Sequence, residues 1–420
     1  MSVPGAQARR DHRLRRMTGR DPGEDHRAAT PLELLFDLTF VVAFSQAGTQ
    51  AARLLDEGRL VPAVIGFAVA TFAICWAWIN YSWLASAYDN DDLFFRAATF
   101  VEMVGVLVLA LGMPEVFDSI AEGRHLNDAV LVSGYVVMRV ATVALWVRAA
   151  RDDPVHRRAC IAYAVSVSIA QAGWIALIVV DPPLVAGLVF AALLMVVEMA
   201  GPIVAERLAG GTPWHPGHMA ERYGLLVIIT LGEVVLGTIL AISAVVHEQQ
   251  WSVEAGLVAA AGTALAFGMW WVYFTMPSAE VLRVHRERSF GWGYGHLVVF
   301  GSIAATGAGL HVAASVIEGT AEVGESFAVS AVVIPVAVFL TALFTLYTVL
   351  IRQFDPLHVV LFAGSLLLLG VSVAASAAGA SMGWSLAIAA LAPLVVIVGY
   401  ETVGHRHQAA AMARALRRPD

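Results

Sequence analysis

The chain has 420 residues, of which 59% are apolar and only 14% are charged, and its mean hydropathy is +0.73. A soluble domain has about 45–50% apolar and about 25% charged residues, so this composition excludes an ordinary soluble enzyme, a nucleic-acid binder and a disordered scaffold. The formal net charge is −7, all 26 basic residues are arginine, and two cysteines are too few for a disulfide framework.

Apolar runs of about 20 residues have the length that crosses a bilayer. The sequence contains twelve of them and predicts an all-α, polytopic membrane protein with about 12 transmembrane helices. In chain order, these predicted helices span 31–54, 61–87, 93–117, 127–149, 157–180, 184–205, 219–246, 252–277, 290–317, 326–351, 357–379 and 383–403. The basic segment before them lacks the apolar core of a signal peptide.

Arginines are concentrated in the two tails and in alternate loops. The even-numbered loops and the C-terminal tail contain Arg148, Arg151, Arg157, Arg158, Arg207, Arg222, Arg283, Arg286, Arg288, Arg352, Arg406, Arg414, Arg417 and Arg418. The odd-numbered loops contain only Arg53, Arg59 and Arg124. Because positively charged loops stay in the cytoplasm, we expect a multi-pass protein of the bacterial cytoplasmic membrane with both termini cytoplasmic.

Landmark residues recur in the two halves of the chain at a slowly growing offset. Glu33 corresponds to Glu221, 188 positions later, and Glu198 corresponds to Glu401, 203 positions later. An even number of helices per repeat gives both repeats the same orientation. The sequence therefore predicts two parallel six-helix repeats, at 30–206 and 207–405, flanked by basic cytoplasmic tails at 1–29 and 406–420.

Two ionisable residues lie near the middle of adjacent predicted helices. Glu102 is in the third helix and Arg139 is in the fourth, at similar depth. A charge at this depth costs at least about 2.5–3.5 kcal/mol, so each needs a reason to be there. Either the two form a buried ion pair that fixes helix packing, or Glu102 is a proton or cation site that Arg139 tunes.

Glu233 lies in the middle of the seventh predicted helix between Gly232 and Gly237, which allow close approach of a neighbouring helix. Its counterpart in the first repeat falls at or beside Gln46. Two polar groups at matching depth near the pseudo-two-fold axis are candidates for the lining of a transport pathway. The alternative is a structural hydrogen bond.

The start of the first helix carries two carboxylates on one face. Thr30 and Glu33 have the spacing of a capping box, and Glu221 is expected to belong to a second one. Asp37 lies one turn further in. It either pairs with an arginine, such as Arg222, or binds a cation at the inner mouth of a pathway.

His296 lies about two turns into the ninth predicted helix. It is interpreted as a structural hydrogen-bonding residue or as a proton relay. Neither His296 nor His311 has a cysteine or carboxylate at metal-ligand spacing, so no metal site and no cofactor are expected. The sequence also lacks a phosphate-binding GxxxxGK[ST] loop and a recognisable catalytic constellation, and we expect no enzymatic activity.

The segment from Pro31 to Gln46 resembles the opening signature of the bacterial low temperature requirement A (LtrA) family. The stretch from Glu221 to Glu233 resembles its second signature, and Tyr294-Gly-His296 fits a later position. The resemblance covers the chain from Pro31 to Gly404. It implies a multi-pass bacterial membrane protein linked by name to growth in the cold, with no established substrate or catalytic residue.

A fainter similarity relates the chain to two-repeat potassium channels of lysosomes and bacteria. Their signature Phe-Ser-Asp corresponds here to Leu35-Phe36-Asp37, which lacks the serine.

The leading hypothesis for the function is an ion-coupled secondary transporter or permease with a pathway between the two repeats. The alternatives are a non-transporting accessory or sensory protein and a passive cation channel. Expected partners are the lipid bilayer, a proton or cation and an unknown small solute; no nucleic acid is expected, and the oligomeric state is left open.

Overall fold

The structure is a computed structural model that describes residues 14–24, 27–249 and 251–416, without the side chain of Gln249. Residues 1–13, 25–26 and 417–420 of the two expected basic tails lie outside the described residues. Within the described ranges, the regular structure is helical and there is no β-strand.

The described ranges contain fifteen α-helices. They are α1 (Pro31–Asp56), α2 (Leu60–Tyr88), α3 (Leu93–Leu111), α4 (Met113–Glu122), α5 (Ala129–Asp152), α6 (Arg157–Val180), α7 (Leu184–Leu208), α8 (Pro216–Gln249), α9 (Val253–Phe274), α10 (Ser278–Val284), α11 (Ser289–Ile317), α12 (Glu325–Ile351), α13 (Pro356–Ala377), α14 (Met382–Gly399) and α15 (His405–Ala415). A 3₁₀ turn at Arg286–Arg288 precedes α11, and a π-helical turn at Tyr400–Gly404 joins α14 to α15.

The described residues form 12 helical segments that are long and apolar enough to cross a membrane, which confirms the predicted number of spans. The third of them is not one helix, as expected from the run at 93–117, but divides at Gly112 into α3 and α4. Pro114, at the start of α4, has no N–H to continue the α3 hydrogen-bond ladder, so the chain restarts a helix there. The two-repeat arrangement remains a prediction.

Glycine contacts bring two pairs of helices unusually close. A Cβ on Gly105 of α3 would lie 2.7 Å from the carbonyl oxygen of Gly134 on α5. A Cβ on Gly307 of α11 would lie 2.6 Å from the carbonyl oxygen of Glu233 on α8. Helices in lipid associate through van der Waals packing, and small residues allow their backbones to approach. The absence of a side chain at Gly307 therefore allows α11 to approach the backbone of α8 at Glu233.

The centre of the bundle is formed by α11 and the helices around it. The apolar stretch of α11 is 78% buried, whereas those of α7 and α13 are 22% buried and face outwards. Helix α11 packs against α8, α12 and α1, and α1 also contacts α8. Helices of the first six spans and of the last six therefore meet at α1, α8 and α11.

Residues 14–24 and 27–29, which we call the N-terminal strap, pack along one face of the bundle. We call this the terminal face, because α15 lies there as well. The side chain of Met17 is fully buried, and its N–H donates to Asp152 over 2.9 Å. His215 donates to the carbonyl of Glu24 over 2.8 Å, and the buried Arg27 donates to carbonyls at the end of α2. The strap is thus a packed part of the fold.

Candidate functional site

A capping box begins α1, as the sequence predicts. Thr30 Oγ1 accepts the N–H of Glu33 over 3.2 Å, and the N–H of Thr30 donates to the carboxylate of Glu33 over 2.7 Å. The prediction for Glu221 is wrong. Helix α8 begins at Pro216, so Glu221 lies past its first turn, and its carboxylate accepts the N–H of Ala29 over 3.3 Å instead.

Glu33 has a second role, which is to join α1 to α8. Its Oε1 lies 3.1 Å from Nε2 of His218 and 3.2 Å from a guanidinium nitrogen of Arg222. All three side chains are 0% exposed. Sequence reasoning missed His218 as a site residue; its spacing of four positions from Arg222, about one helical turn, is the signal that puts both on the same face of α8.

Asp37 completes this group, and its partner is the arginine that the sequence suggested. Arg222 donates to Asp37 Oδ1 over 2.6 Å, and the indole N–H of Trp78 donates to the same oxygen over 2.7 Å. Arg222 also donates to Ser82 over 3.3 Å. We call Glu33, Asp37, His218 and Arg222 the bridge cluster, because it ties α1 of the first six spans to α8 of the last six.

The bridge cluster has more acidic than permanently basic groups. Its four side chains comprise two carboxylates, one guanidinium and one imidazole, and the buried Arg27 adds a second positive charge that acts on Glu33 and His218. Among the described residues, neither Asp37 Oδ2 nor His218 Nδ1 has a hydrogen-bond partner. A buried polar atom without a partner is costly, so these two atoms are the places where the cluster can bind a proton.

A second polar cluster lies inside the first six spans, and it corrects the predicted pairing of Arg139. The guanidinium of Arg139 lies 3.3 Å from the carboxylate of Glu198 on α7 and also contacts the hydroxyl of Tyr135. Glu102 instead accepts a hydrogen bond from Thr142 over 2.9 Å. Arg139 therefore does not form the ion pair with Glu102 that one interpretation expected, and the other interpretation, a proton or cation site at Glu102, stays a prediction.

Glu198 is a site residue that sequence reasoning missed, because it served there only as a repeat landmark. Its carboxylate accepts hydrogen bonds from Trp76 over 2.7 Å, from Trp174 over 3.1 Å and from Gln171 over 3.2 Å. A carboxylate in the middle of an apolar span was the available signal. The carboxylate of Glu198 is thus paired with Arg139 and three neutral donors, and its best explanation is a structural role that holds these helices together.

Glu233 differs from Glu198 because no described residue forms an ion pair with it. It is 3% exposed, and the side chain that interacts with it across the helix interface is Ser45 of α1. Its Oε2 lies 3.7 Å from where a Cβ on Gly48 would be. The counterpart was predicted at or beside Gln46, and the side chain that interacts with Glu233 is Ser45, the residue next to Gln46. One position turns a helix face by about 100°, so the sequence alone could not choose between the two residues.

His296 is buried and has both ring nitrogens occupied. Nδ1 lies 2.7 Å from the carbonyl of Trp292, and Nε2 lies 3.0 Å from the hydroxyl of Tyr273. A carbonyl only accepts, so Nδ1 carries the proton and Nε2 accepts from the tyrosine. This neutral, satisfied imidazole matches the structural interpretation of His296.

Two aspartates of the loop between α2 and α3 titrate differently. Burial, together with the negative charge of Glu33, raises the pKa of Asp89 to about 6. Burial acts in the same direction on Asp92, but hydrogen bonds from Arg148, from the N–H of Phe95 and from the N–H of Arg15 outweigh it and lower its pKa to about 2. Among the described residues, no three His, Cys, Asp or Glu side chains form a group that suits a metal ion.

Comparisons with known proteins agree with this architecture. The model of the family described as bacterial low temperature requirement A protein (LtrA) matches residues 28–393. An uncharacterized protein of Rhizobium meliloti (strain 1021), RA0937, is 29% identical over 304 residues, which cover 69% of this chain and 70% of that protein. No solved structure matches the chain.

Proposed function

The chain belongs to the bacterial low temperature requirement A family, and we propose that it is an ion-coupled secondary transporter or permease. Its pathway runs between the first six and the last six spans, and it moves an unknown small solute together with a proton or cation. It acts in the bacterial cytoplasmic membrane with both termini in the cytoplasm, and it needs no cofactor.

The observation that carries the proposal is the isolated carboxylate of Glu233. It lies where α1, α8 and α11 meet, with the hydroxyl of Ser45 as its neighbour, and among the residues that the structure describes no basic group forms an ion pair with it. A carboxylate held this way in a membrane is too costly to keep charged by itself. It therefore holds a proton or a bound cation, which is the property a coupling site requires.

The bridge cluster suits a gate for that pathway. It joins the same two helices, α1 and α8, about three helical turns from Glu233, because eleven positions separate Arg222 from Glu233. In this proposal, the ion pairs of Arg222 with Glu33 and Asp37 hold α1 and α8 together and keep the pathway closed. Uptake of a proton by this cluster weakens the attraction between the helices, and this links the occupancy of an ion site to opening.

The test is ion flux in proteoliposomes, followed with a pH-sensitive dye under imposed proton, sodium and potassium gradients. Wild type is compared with Glu233→Gln, which keeps the size of the side chain and removes the titratable group. The matched control is Glu102→Gln, another buried carboxylate with one hydroxyl partner, which lies between α3 and α5. We expect flux in wild type, loss of flux in Glu233→Gln, and at least half of the wild-type rate in Glu102→Gln.

Three results would count against the proposal. Wild-type liposomes that leak no more than empty ones would favour an accessory or sensory role. Flux without coupling between ion and solute would favour a passive cation channel. Loss of flux in Glu102→Gln alone would place the pathway inside the first six spans and not between the two halves.

A further inference from the structure

A groove on the terminal face is formed by helix α15 and the loop between α12 and α13. It has a volume of about 340 Å³. The residues that give it its chemical character are Gln353, Phe354, Asp355, Arg406, His407 and Arg414. This groove is separate from Glu233 and from the bridge cluster, and nothing in the proposed transport depends on it.

The depth of the groove follows from the length of the last span. Helix α14 has 18 residues, so it is about 27 Å long and nearly crosses the hydrocarbon core of about 30 Å. The π-helical turn at Tyr400–Gly404 follows, and α15 begins beyond it. Gln408 donates to the carbonyl of Thr275 over 2.8 Å and holds α15 against the bundle. The groove therefore lies at the level of the lipid headgroups.

The charge of the groove is positive. Arg406 has no hydrogen-bond or ion-pair partner among the described residues, and Arg414 contacts only the neutral Gln353, over 3.3 Å. The one carboxylate, Asp355, already faces His407 over 3.1 Å. Two guanidinium groups are thus left without a counter-charge beside a cavity, and the fork of an arginine fits the oxygens of a phosphate.

An exposed aromatic ring lies beside these arginines. Phe354 is 81% exposed, in a loop where a soluble protein would place a polar residue. Aromatic side chains at headgroup depth insert between lipids, with their apolar surface towards the chains. A free phosphate ion makes no favourable contact with this apolar ring, whereas a phospholipid has both a phosphate group and acyl chains.

We propose that this groove binds the phosphate of an anionic phospholipid headgroup, held by Arg406 and Arg414, with Phe354 against the adjoining lipid. Each surface cation contributes about a fivefold factor in lipid affinity, so removing both arginines should weaken binding about 25-fold. The zwitterionic headgroup of phosphatidylcholine has no net charge to satisfy the two arginines and binds more weakly.

The experiment measures lipid retention on the purified full chain by native mass spectrometry. Dioleoylphosphatidylglycerol and dioleoylphosphatidylcholine are titrated in detergent, with and without sodium phosphate. Wild type is compared with Arg406→Gln/Arg414→Gln and with Arg151→Gln/Arg158→Gln, which removes two exposed arginines from the same face. The variant Arg406→Lys/Arg414→Lys keeps the charge and serves as a second measure where the glutamine variant folds poorly.

We expect wild type and the Arg151/Arg158 variant to bind the anionic lipid at least tenfold more tightly than the zwitterionic one. The Arg406/Arg414 glutamine variant should lose that preference. The lysine variant should keep most of it. Equal binding of both lipids to wild type would overturn the proposal. An equal loss in the Arg151/Arg158 variant would show general surface charge in place of a site. Full displacement of the lipid by millimolar phosphate would identify free phosphate as the ligand.

Discussion

Removing the positive charge from the bridge cluster should destabilise the protein strongly. Arg222 is 0% exposed and lies 3.2 Å from Glu33 and 2.6 Å from Asp37. The substitution Arg222→Gln keeps a hydrogen-bond donor but leaves two buried carboxylates without their arginine partner. Breaking a buried ion pair by removing one partner costs about 3–5 kcal/mol.

This cost corresponds to a measurable change in the melting temperature. Unfolding entropy is about 2.1 cal/mol/K per residue, or about 0.9 kcal/mol/K for a chain of 420 residues. A loss of about 3–5 kcal/mol therefore lowers Tm by about 3–6 °C. The assay is thermal unfolding of the purified protein in detergent, in which size-exclusion chromatography measures the folded fraction that remains after heating.

Two further variants separate lost charge balance from lost packing. Asp37→Asn added to Arg222→Gln removes one of the orphaned carboxylates, so the double variant should melt higher than Arg222→Gln alone. Arg158→Gln removes an exposed arginine and should change Tm by less than about 1 °C. If Arg222→Gln melts within about 1 °C of wild type, or if Asp37→Asn lowers Tm further, the charge balance derived for the cluster is wrong.

Two other predictions concern the packing of α8 and the loop after α2. Gly307→Ala would place a Cβ 2.6 Å from the carbonyl oxygen of Glu233, so it should lower the free energy of unfolding by about 1–3 kcal/mol. Gly370→Ala, where a Cβ meets nothing within 4 Å, should be neutral or stabilising. Equal Tm values for the two variants would contradict the close contact at Gly307. The pKa of Asp89 is about 6 when folded and about 3.9 when unfolded, so the folded chain binds more protons between these values and stability falls as pH rises through that window. Asp89→Asn should therefore leave Tm unchanged at pH 4 and stabilise the protein by on the order of 2 kcal/mol at pH 7, and a shift of equal size at both pH values would exclude this titration.

The sequence was sufficient for the number of spans and for some of the contacts near helix starts. Apolar runs predict the twelve spans because the bilayer thickness fixes the length of each. The capping box of Thr30 and Glu33 is local, so it follows from spacing alone. Asp37 was expected either to pair with an arginine, such as Arg222, or to bind a cation, and the structure has the pair with Arg222.

Contacts in the middle of the membrane could not be derived in the same way. Helix α5 packs against α3, which carries Glu102, yet Arg139 extends to Glu198 on the other side of α5. For Glu233 the sequence left the choice between Gln46 and its neighbours open, and the residue it meets is Ser45. The depth of a polar residue can be read from the sequence but the rotation of its helix cannot, since an apolar stripe is too broad to fix which polar residue faces which neighbour.

The N-terminal strap also constrains the order in which the chain is assembled. Its residues contact the end of α5 through Asp152 and the start of α8 through His215, and these positions are synthesised more than a hundred residues later. The strap must therefore wait until the six spans before His215 are inserted before it can form this contact. Met17 is fully buried in the folded protein, so its packing is a late step that completes the terminal face. A bulky tag fused directly before the strap would interfere with this last step of maturation more than with the insertion of any single helix.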